Sequence, residues 1–533
     1  MAMKSTTVTP QPNAQYIREE LAAMLSTYRK IADCLGGSKT IKDKGTLYLP
    51  MPNPADHSNE NKKRYENYLE RAVFYNVVKR TIQGLTGQVT ARPPVIEVPD
   101  ALDSVVRNAT GTGLSLEQTA KRALNYGLAY ARGGIAVDYP DTGGNVSQAD
   151  IDNGLARPVI QLYAPQFVIN WRTMPRGVEQ VLSMVVIAEP YPLADDGFEL
   201  TYGCQLKVLR LVKAGRKDVE GKTVNNGAQY HYAVEVWREP AGQGKKWDGA
   251  TIPDNKTKFE MQETYYPTLP NGELFDEIPF LFFGAENNDV NVDVPAMADL
   301  ADLNIAHYRN SADYEESSFV MGQPTCVVTG LTDAWYKNVL KESIPLGSYG
   351  GVPLGEGMDL KFVTAPPNTV PAEAMQHKET QMVALGARLV EQRNVQRTAA
   401  EATSETARDS SILASTANNV SDAIEWALRW CARFQGVEVP ETGDGAIKFR
   451  LNNDFQMMTL TAEERKMLIA EYQAGGLSWG EWRGILRQGG IAKDDDKDAE
   501  TAIKEAQDDE LDRAVKTAEA MAKTAGDDKG NIE

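Results

Sequence analysis

Residues 404–436, SETARDSSILASTANNVSDAIEWALRWCARFQG, determine the architecture because they predict one long helix. Ser404 is a suitable N-cap and Gly436 a C-terminal stop, so the helix is predicted over 404–435 with a length of about 47 Å. One face carries apolar residues at helical spacing, namely Leu413, Ala417, Val420, Ile424, Leu428 and Cys431. A second apolar side predicts cover from more than one direction and consists of Ile412, Trp426, Trp430 and Phe434. Both tryptophans are therefore expected in the core.

The N-terminal part of the chain predicts three further helices. Residues 15–35 and 61–87 have helical spacing, and the second helix is expected to end at Gly84 and Gly87. Its apolar residues that roughly follow one face are Leu69, Val73, Val77 and Ile82. A third helix, about 115–130, leads into a short strand that Pro140 closes.

The middle of the chain changes to a period of two. Between about 157 and 285, segments such as VLSMVVIAEP and HYAVEVWREP alternate and are separated by Gly, Asn, Asp and Pro. This pattern predicts antiparallel strands joined by hairpin loops. A mostly helical half follows, with helices predicted over 294–320, 370–392 and 404–435. The fold class is therefore α+β.

Composition excludes several classes of protein. The chain has 533 residues, 42% of them apolar and 24% charged, which suits a globular protein of roughly three domains. No run of about 18 apolar residues predicts a membrane span, and residues 1–15 lack the apolar stretch of a secretory signal. The net charge is −18, and residues 494–533, with fourteen acidic and six basic residues, contribute −8 of it. Any contact with DNA is expected to be weak, since tight phosphate binding needs a basic face.

Cysteine and histidine usage argues against a metal site. The four cysteines, Cys34, Cys204, Cys326 and Cys431, lie more than a hundred residues apart and form no CxxC pair. We interpret them as buried thiols. The four histidines are equally scattered, so neither a metal nor a cofactor is expected.

Three stretches resemble functional motifs, but ordinary structure explains each of them better. Residues 215–223 resemble a phosphate-binding loop, but five residues separate the glycines and a strand pattern follows, so a hairpin loop is favoured. Acidic residues of 494–505 match a calcium loop except that Ala499 replaces its glycine, and an acidic helix start is favoured. Residues 111–113 are a loop, and no nucleophile motif is present. The chain is expected not to be an enzyme.

Several long segments together resemble the tailed-phage portal family, in particular a divergent, uncharacterised portal-like branch. They are YLERAVFYNVVKRTIQGLTGQV (68–89), ADLNIAHYRNSADYEESSFVMGQPTCVVTG (301–330), the segment 397–434 and LTAEERKMLIAEYQAGGLSWGEWRGILRQGGI (460–491). The resemblance covers about residues 60–500, and the acidic C-terminus departs from it. It implies a portal-like fold with a mixed wing, two stem helices flanking a small α/β clip, a long wing helix and a helical crown.

The resemblance also assigns each part of the chain. It implies a wing (1–290), first stem helix (291–320), clip (321–366), second stem helix (367–392), tunnel loop (393–403), long wing helix with a following strand (404–460) and crown with acidic tail (461–533). Channel residues contacting DNA would be Lys378, Arg388, Arg393, Asn394, Gln396 and Arg397, although ion pairing between subunits or simple solvation is favoured for the basic ones. Clip residues binding a partner would be Trp335, Tyr336, Lys337 and Lys341, with packing within the ring equally expected.

The implied function is that of a portal. About twelve copies would form a ring at one capsid vertex, assembled in the bacterial cytoplasm, through which double-stranded DNA is packaged and ejected. Terminase, then adaptor or tail proteins, would bind it, and major capsid and scaffolding proteins would surround it. The alternative is another head–tail connector component of the virion, such as an adaptor, and a nucleotide-dependent enzyme comes third.

Overall fold

The structure is a computed structural model. It describes residues 13–139, 157–213, 230–240, 242, 244–249, 251, 258–269, 271–322, 325–341, 353–363, 369–386, 399–443, 445–453, 462–488, 499–505 and 516. The chain divides into two compact units, Met1–Asn453 and Asp454–Glu533. Helices and antiparallel sheets are both present, which confirms the α+β class.

The first unit begins with a group of helices. They are α1 (Glu19–Gly36), α2 (Ser38–Asp43), α3 (Asn59–Arg71) and α4 (Val77–Val89). The prediction of one helix over 61–87 is wrong, because α3 ends at Arg71 and the chain leaves helical geometry before α4 begins. Asn76 caps the new helix, since its Oδ1 accepts a hydrogen bond from the Lys79 amide at 3.0 Å. The helix then continues through Gly84 and Gly87, which do not end it.

Five short elements lead from these helices into the sheets. They are β1 (Val95–Glu97), α5 (Asp103–Arg107), α6 (Leu116–Tyr130), β2 (Arg132–Asp138) and β3 (Val159–Tyr163). Helix α6 confirms the helix predicted over 115–130. It begins with a capping box, in which Ser115 Oγ accepts from the Gln118 amide and Gln118 Oε1 accepts from the Ser115 amide. Ala131, with φ of 55°, turns the chain directly into β2.

The predicted strand region forms two antiparallel sheets. The larger has the order β4-β5-β6-β7-β8, with β4 (Val168–Arg176), β5 (Glu179–Asp195), β6 (Leu200–Lys213), β7 (Tyr230–Arg238) and β8 (Glu260–Tyr265). The smaller has the order β3-β2-β9, with β9 (Phe280–Gly284). Both strands of the hairpin β5–β6 are long, and its turn holds the fully exposed Phe198.

A partly buried polar cluster joins the two sheets. Lys207 of β6 forms an ion pair with Asp138 of β2, and their side chains are 10% and 22% exposed. The Tyr163 hydroxyl of β3 donates to Glu189 of β5 at 3.3 Å, and Gln205 donates to the same carboxylate at 2.7 Å. Such a network holds the sheets in one arrangement because an unpaired buried charge is costly.

We expect Lys207→Met to lower the free energy of unfolding by about 3 kcal/mol, because it leaves the Asp138 carboxylate without its cation. Lys246→Met is the matched control. Its ion pair with Glu199 has side chains 69% and 67% exposed, so its loss should change little. Guanidinium unfolding at fixed protein concentration measures both effects. Equal midpoints for the two variants would contradict the role assigned to the cluster.

The second half of the first unit is built on helices. Helix α7 (Met297–Gly322) is followed by β10 (Thr325–Thr329), α8 (Asp333–Asn338), β11 (Asp359–Val363) and α9 (Val370–Gly386). The long helix α10 (Ala399–Gln435) follows, and β12 (Lys448–Arg450) pairs with β1. None of the helices among these described ranges is both long and apolar enough to cross a bilayer.

Helix α10 confirms the predicted long helix but begins earlier. It starts at Ala399, so Ser404 lies inside the helix and is not its N-cap. Its C-terminus is as predicted, since Gly436 adopts φ of 71° and the Val437 amide donates to the Ala432 carbonyl at 2.9 Å.

Helix α10 lies in the core of the first unit. Every residue of its predicted apolar face is buried, from Leu413 to Cys431. On the second side Trp430 and Phe434 are buried against Phe275, whose ring centroid lies 4.7 Å from that of Phe434. Ile412 is 48% exposed and Trp426 is half-buried, so that side is covered only towards its C-terminal end.

The second unit contains a helical hairpin of α11 (Ala462–Gln473) and α12 (Trp479–Gln488). Tyr472 stacks on Trp482 with ring centroids 4.9 Å apart, and Trp479 lies 5.4 Å from Trp482. Ser478 and Glu481 form a capping box at the start of α12. The helices predicted for 461–510 are thus present wherever this part of the chain is described.

Candidate functional site

Two helices of the first unit pack side by side and are joined by a small β-hairpin. Strands β10 and β11 pair antiparallel, with Thr325 opposite Val363, so α9 begins close to where α7 ends and runs back along it. Met382 of α9 is buried at this contact. We call α7 and α9 the stem pair and the described residues 325–341 and 353–363 the clip.

Helix α7 changes its environment halfway along its length. Its buried residues, such as Ile305, Tyr308 and Ala312, all lie in the N-terminal part. Beyond Ala312 none of its described residues is buried, and Phe319 and Val320 are 45% and 49% exposed. The stem pair therefore leaves the core and carries apolar side chains into solvent.

Helix α7 also carries a buried polar stripe at helical spacing. Asn304, His307 and Ser311 lie on one face, and each side chain reaches another element. Asn304 Oδ1 accepts from the Val77 amide at 3.1 Å, while its Nδ2 donates to the Tyr75 carbonyl at 2.7 Å. His307 Nε2 lies 3.2 Å from Glu379 Oε1 of α9. The stripe thus fixes both α9 and the segment before α4.

That segment, residues 72–76, is the linker that replaces the predicted continuous helix. The Val73 amide donates to Ser311 Oγ at 3.1 Å, and that hydroxyl lies within hydrogen-bond distance of the Val73 carbonyl at 2.8 Å and of the Tyr308 carbonyl at 2.7 Å. Phe74 is buried and meets Tyr308 edge to face at 5.9 Å. Val73 and Tyr75 on either side of it are 53% and 60% exposed. Val73 was predicted to follow the apolar face of one helix, and that prediction is wrong because α7 holds the linker backbone.

Helix α3 is tied to the same part of α7. Tyr68 donates to Asp313 at 2.6 Å, and Arg71 forms an ion pair with Glu316. The Arg71 guanidinium also lies over the Phe319 ring, 4.2 Å from its centroid. The emerging part of α7 is therefore supported on one side by α3.

The clip has a small apolar centre of its own. Trp335 donates from Nε1 to the Pro353 carbonyl at 3.2 Å and packs against Gly355 and Met358. A Cβ at Gly355 would lie 3.3 Å from the Trp335 ring. Of the predicted partner-binding residues, Trp335 and Tyr336 are half-buried, whereas Lys337 and Lys341 are exposed. The side chain of Trp335 thus already has a structural role inside the clip.

The clip also corrects one prediction about cysteines. Cys34, Cys204 and Cys431 are buried, and burial raises the pKa of the Cys34 and Cys204 thiols to about 12. Cys326 lies opposite Phe362 on the two-stranded sheet and is only half-buried. A sheet of two strands offers too little surface to form a core of its own.

The predicted channel residues are only partly placed. Lys378 lies on α9 and is half-buried. Arg388, Arg393, Asn394, Gln396 and Arg397 lie outside the described residues, as do the stretch 215–223 and residues 494–498 of the acidic stretch 494–505. Among the residues that the structure describes, no group of three or more His, Cys, Asp or Glu could hold a metal ion.

The loop that leads into α7 is strongly acidic. Glu286 and Asp289 of this loop and Asp299 in the first turn of α7 are exposed, and Val294 between them in the sequence is 74% exposed. Burial and the nearby carboxylates of Glu286 and Asp289 raise the pKa of Asp293. The loop is anchored by the buried Arg132, whose guanidinium donates to the Asn291 carbonyl.

Sequence reasoning missed the linker and the stripe that holds it. One signal was available: Asn76 followed by an apolar helical pattern is a typical helix start, and it marks the break between α3 and α4. The partners of Asn304 and Ser311 lie more than 220 residues earlier in the chain, and no spacing rule links positions so far apart.

Comparison with known proteins gives one family model and several solved structures. Residues 296–435 match a family described as a domain of unknown function, DUF4055. That stretch contains the stem pair, the clip and the whole of α10, so the match covers the candidate site but only about a quarter of the chain. No curated protein matches the chain.

The fold is similar to chains of three particle structures. The first is the virion of a native gene transfer agent (GTA) particle, at 14% identity and a TM-score of 0.37, covering 84% of this chain and 98% of that chain. The second is the neck of an empty GTA particle computed with C6 symmetry, at 15% identity and a TM-score of 0.38, covering 79% of this chain and 92% of that chain. The third is the neck of a native GTA particle computed with C12 symmetry, at 15% identity and a TM-score of 0.37, covering 77% of this chain and 89% of that chain. No residue role is carried over from them.

Proposed function

We propose that this chain is a structural subunit of the head–tail vertex of a tailed phage-like particle, and that its role there is that of the portal. Copies of the chain would form a ring of about twelve around a channel for double-stranded DNA. The chain itself would catalyse no reaction. The observation that carries the proposal is the stem pair with the clip at its end, as expected from the portal-like segments of the sequence.

The exposed apolar side chains of the stem support an assembled state. Tyr314, Phe319 and Val320 of α7 and Val383 and Leu385 of α9 are each more than a third exposed. A soluble protein seldom exposes so many large apolar residues on two adjacent helices unless another chain covers them. In a ring, each stem would be flanked by two others, and these side chains would leave solvent.

The charge of the chain suits a channel that DNA passes through without being held. Each copy carries −18, which disfavours strong phosphate contacts along the whole wall. Lys378, and the basic residues of the predicted tunnel loop, would then be isolated cations in an acidic channel. Terminase and later adaptor or tail proteins would dock on the clip, where Lys337 and Lys341 are exposed.

Electron microscopy of the purified full-length chain tests the proposal. We expect annular particles with a central hole of about 20 Å or more, enough for duplex DNA, and a mass close to twelve subunits by mass photometry. A chain that remains monomeric from nanomolar to high micromolar concentration, at both low and moderate salt, would overturn the portal assignment.

A clip variant separates the portal from the alternative of an adaptor. Replacing residues 321–366 by a short Gly-Ser linker should leave ring formation intact, because the wing and the long helix remain. The same ring should no longer bind the terminase of its phage. Loss of the ring itself would instead favour a role in which the clip is the assembly element.

A further inference from the structure

The linker between α3 and α4 displays two apolar side chains on a backbone that cannot move freely. Ser311 binds both backbone groups of Val73, and Asn304 binds the carbonyl of Tyr75 and the amide of Val77. Phe74 is buried beneath them. A rigid display of exposed apolar residues is the feature expected of an interface anchor, because little conformational entropy is lost on binding.

Two exposed basic residues follow this display in the chain, and the half-exposed carboxylate of Glu379 lies on the other side of His307, whose ring is 6.1 Å from that of Tyr75. Lys79 and Arg80 are exposed on the first turn of α4, and neither has an ion pair among the described residues. Tyrosine and arginine are the residue types that most often dominate binding energy at protein interfaces. The surface formed by Val73, Tyr75, Lys79 and Arg80 is named the linker surface.

The same chain offers a complementary surface on the loop that leads into α7. Val294 is the most exposed apolar residue there, and it is flanked in the sequence by the exposed Glu286 and Asp289 of the loop and by the exposed Asp299 in the first turn of α7. Glu286 and Asp299 have no ion pair among the described residues. These four residues are named the acidic surface.

Other exposed apolar residues fit the linker surface less well. At the β5–β6 turn, Asp195 and Asp196 accept hydrogen bonds from backbone amides of the turn. Glu199 beside them is paired with Lys246. At the end of the stem, Phe319 is covered by Arg71, whose charge is balanced by Glu316. The negative charge near both positions is already engaged within the chain.

We infer that the linker surface binds a second copy of this chain, and that its counterpart is the acidic surface of that copy. The inference rests on the proposed ring. In a closed ring each copy holds the next through one patch and is held through a different patch, so two dissimilar, complementary surfaces are required on one chain. The linker surface and the acidic surface are apolar at the centre and opposite in charge at the rim.

Charge reversal on the full-length chain tests the inference. We expect Lys79→Glu with Arg80→Glu to raise the concentration at which half of the chains are in rings by about tenfold or more. The control is Lys62→Glu with Lys63→Glu, an exposed adjacent basic pair on α3, which should shift that concentration less than about twofold. Adding Glu286→Lys and Asp299→Lys to the first pair should restore assembly.

A second measurement reports the contact directly. When a chain with Tyr75→Cys is mixed with an isotopically labelled chain with Val294→Cys, mass spectrometry should find the disulfide between the two copies. Normal assembly of the Lys79/Arg80 variant, or failure of the added lysines to restore it, overturns the inference while the ring and the proposed function stand. A wild-type chain that forms no rings overturns the inference and the proposed function together.

Discussion

Phe275→Ala is expected to lower the free energy of unfolding of the first unit by about 3–5 kcal/mol, the range for removing a fully buried aromatic ring. Phe275 is 0% exposed. Its ring lies 4.7 Å from Phe434 and 5.5 Å from Trp430, and the Arg433 guanidinium lies 5.4 Å from its centroid. The substitution leaves a cavity between the long helix and the segment that leads into β9.

The same substitution at an exposed position is the control for this prediction. Phe198→Ala removes an equally large ring from the tip of the β5–β6 hairpin, where the side chain is fully exposed. Its effect on unfolding should stay within about 0.5 kcal/mol. Chemical denaturation followed by tryptophan fluorescence compares the two variants, since Trp430 reports on the cavity. A Phe275→Ala midpoint equal to that of Phe198→Ala would contradict the placement of this ring in the core.

Asn304→Ala is expected to cost about 3 kcal/mol although it removes only a small polar side chain. Asn304 is 0% exposed and accepts from the amides of Val77 and Val78 while donating to the Tyr75 carbonyl. Its removal leaves buried backbone groups without partners and deletes a bond to the first turn of α4. The linker 72–76 should also become mobile.

An exposed asparagine provides the comparison. Asn67 of α3 is exposed, and Asn67→Ala should be neutral or slightly stabilising because alanine favours the helix. Hydrogen exchange measured by mass spectrometry distinguishes a local from a global effect. Asn304→Ala should speed exchange most at the amides of Val77 and Val78. Uniformly faster exchange over the whole first unit would show that Asn304 supports the fold in general and not the linker in particular.

The sequence predicts the elements of this fold well wherever a single period persists. The antiparallel strands over 157–285 and the helix ending at Gly436 follow from local patterns that their buried faces confirm. Helix α10 packs on α6 and β9. Because this packing requires an apolar face at helical spacing, the helix is recognisable in the sequence. Its start is missed, since nothing in the pattern distinguishes an N-cap serine from a serine within a helix.

Apart from the N-cap residue Asn76, local patterns carry no sign of the break at residues 72–76. The residues from Leu69 to Ile82 are compatible with one helix, and a continuous helix would provide hydrogen-bond partners for their backbone groups equally well. The chain departs from it because Asn304 and Ser311 supply other partners for the backbone. Tertiary hydrogen bonds of this kind override local propensity and appear in the sequence only as isolated polar residues on a helix.

The candidate site could be anticipated in outline and not in detail. Its helix–hairpin–helix order follows from the sequence, and α7 and α9 confirm it over the described residues. The roles of individual residues do not follow. Trp335 was expected to meet a partner or a neighbouring clip, yet its indole is bound to Pro353 within the clip. The predictions for Arg393 and its neighbours stay predictions.

The continuity of α7 has a mechanical consequence. The helix has 26 residues, about 39 Å, and no break separates its buried part from its emerging part. A force applied to the clip would therefore tilt α7 about the polar stripe around Asn304, as a lever turns about a fixed point. A push at the far end would reach the segment that presents Val73 and Tyr75, because the same side chains hold both.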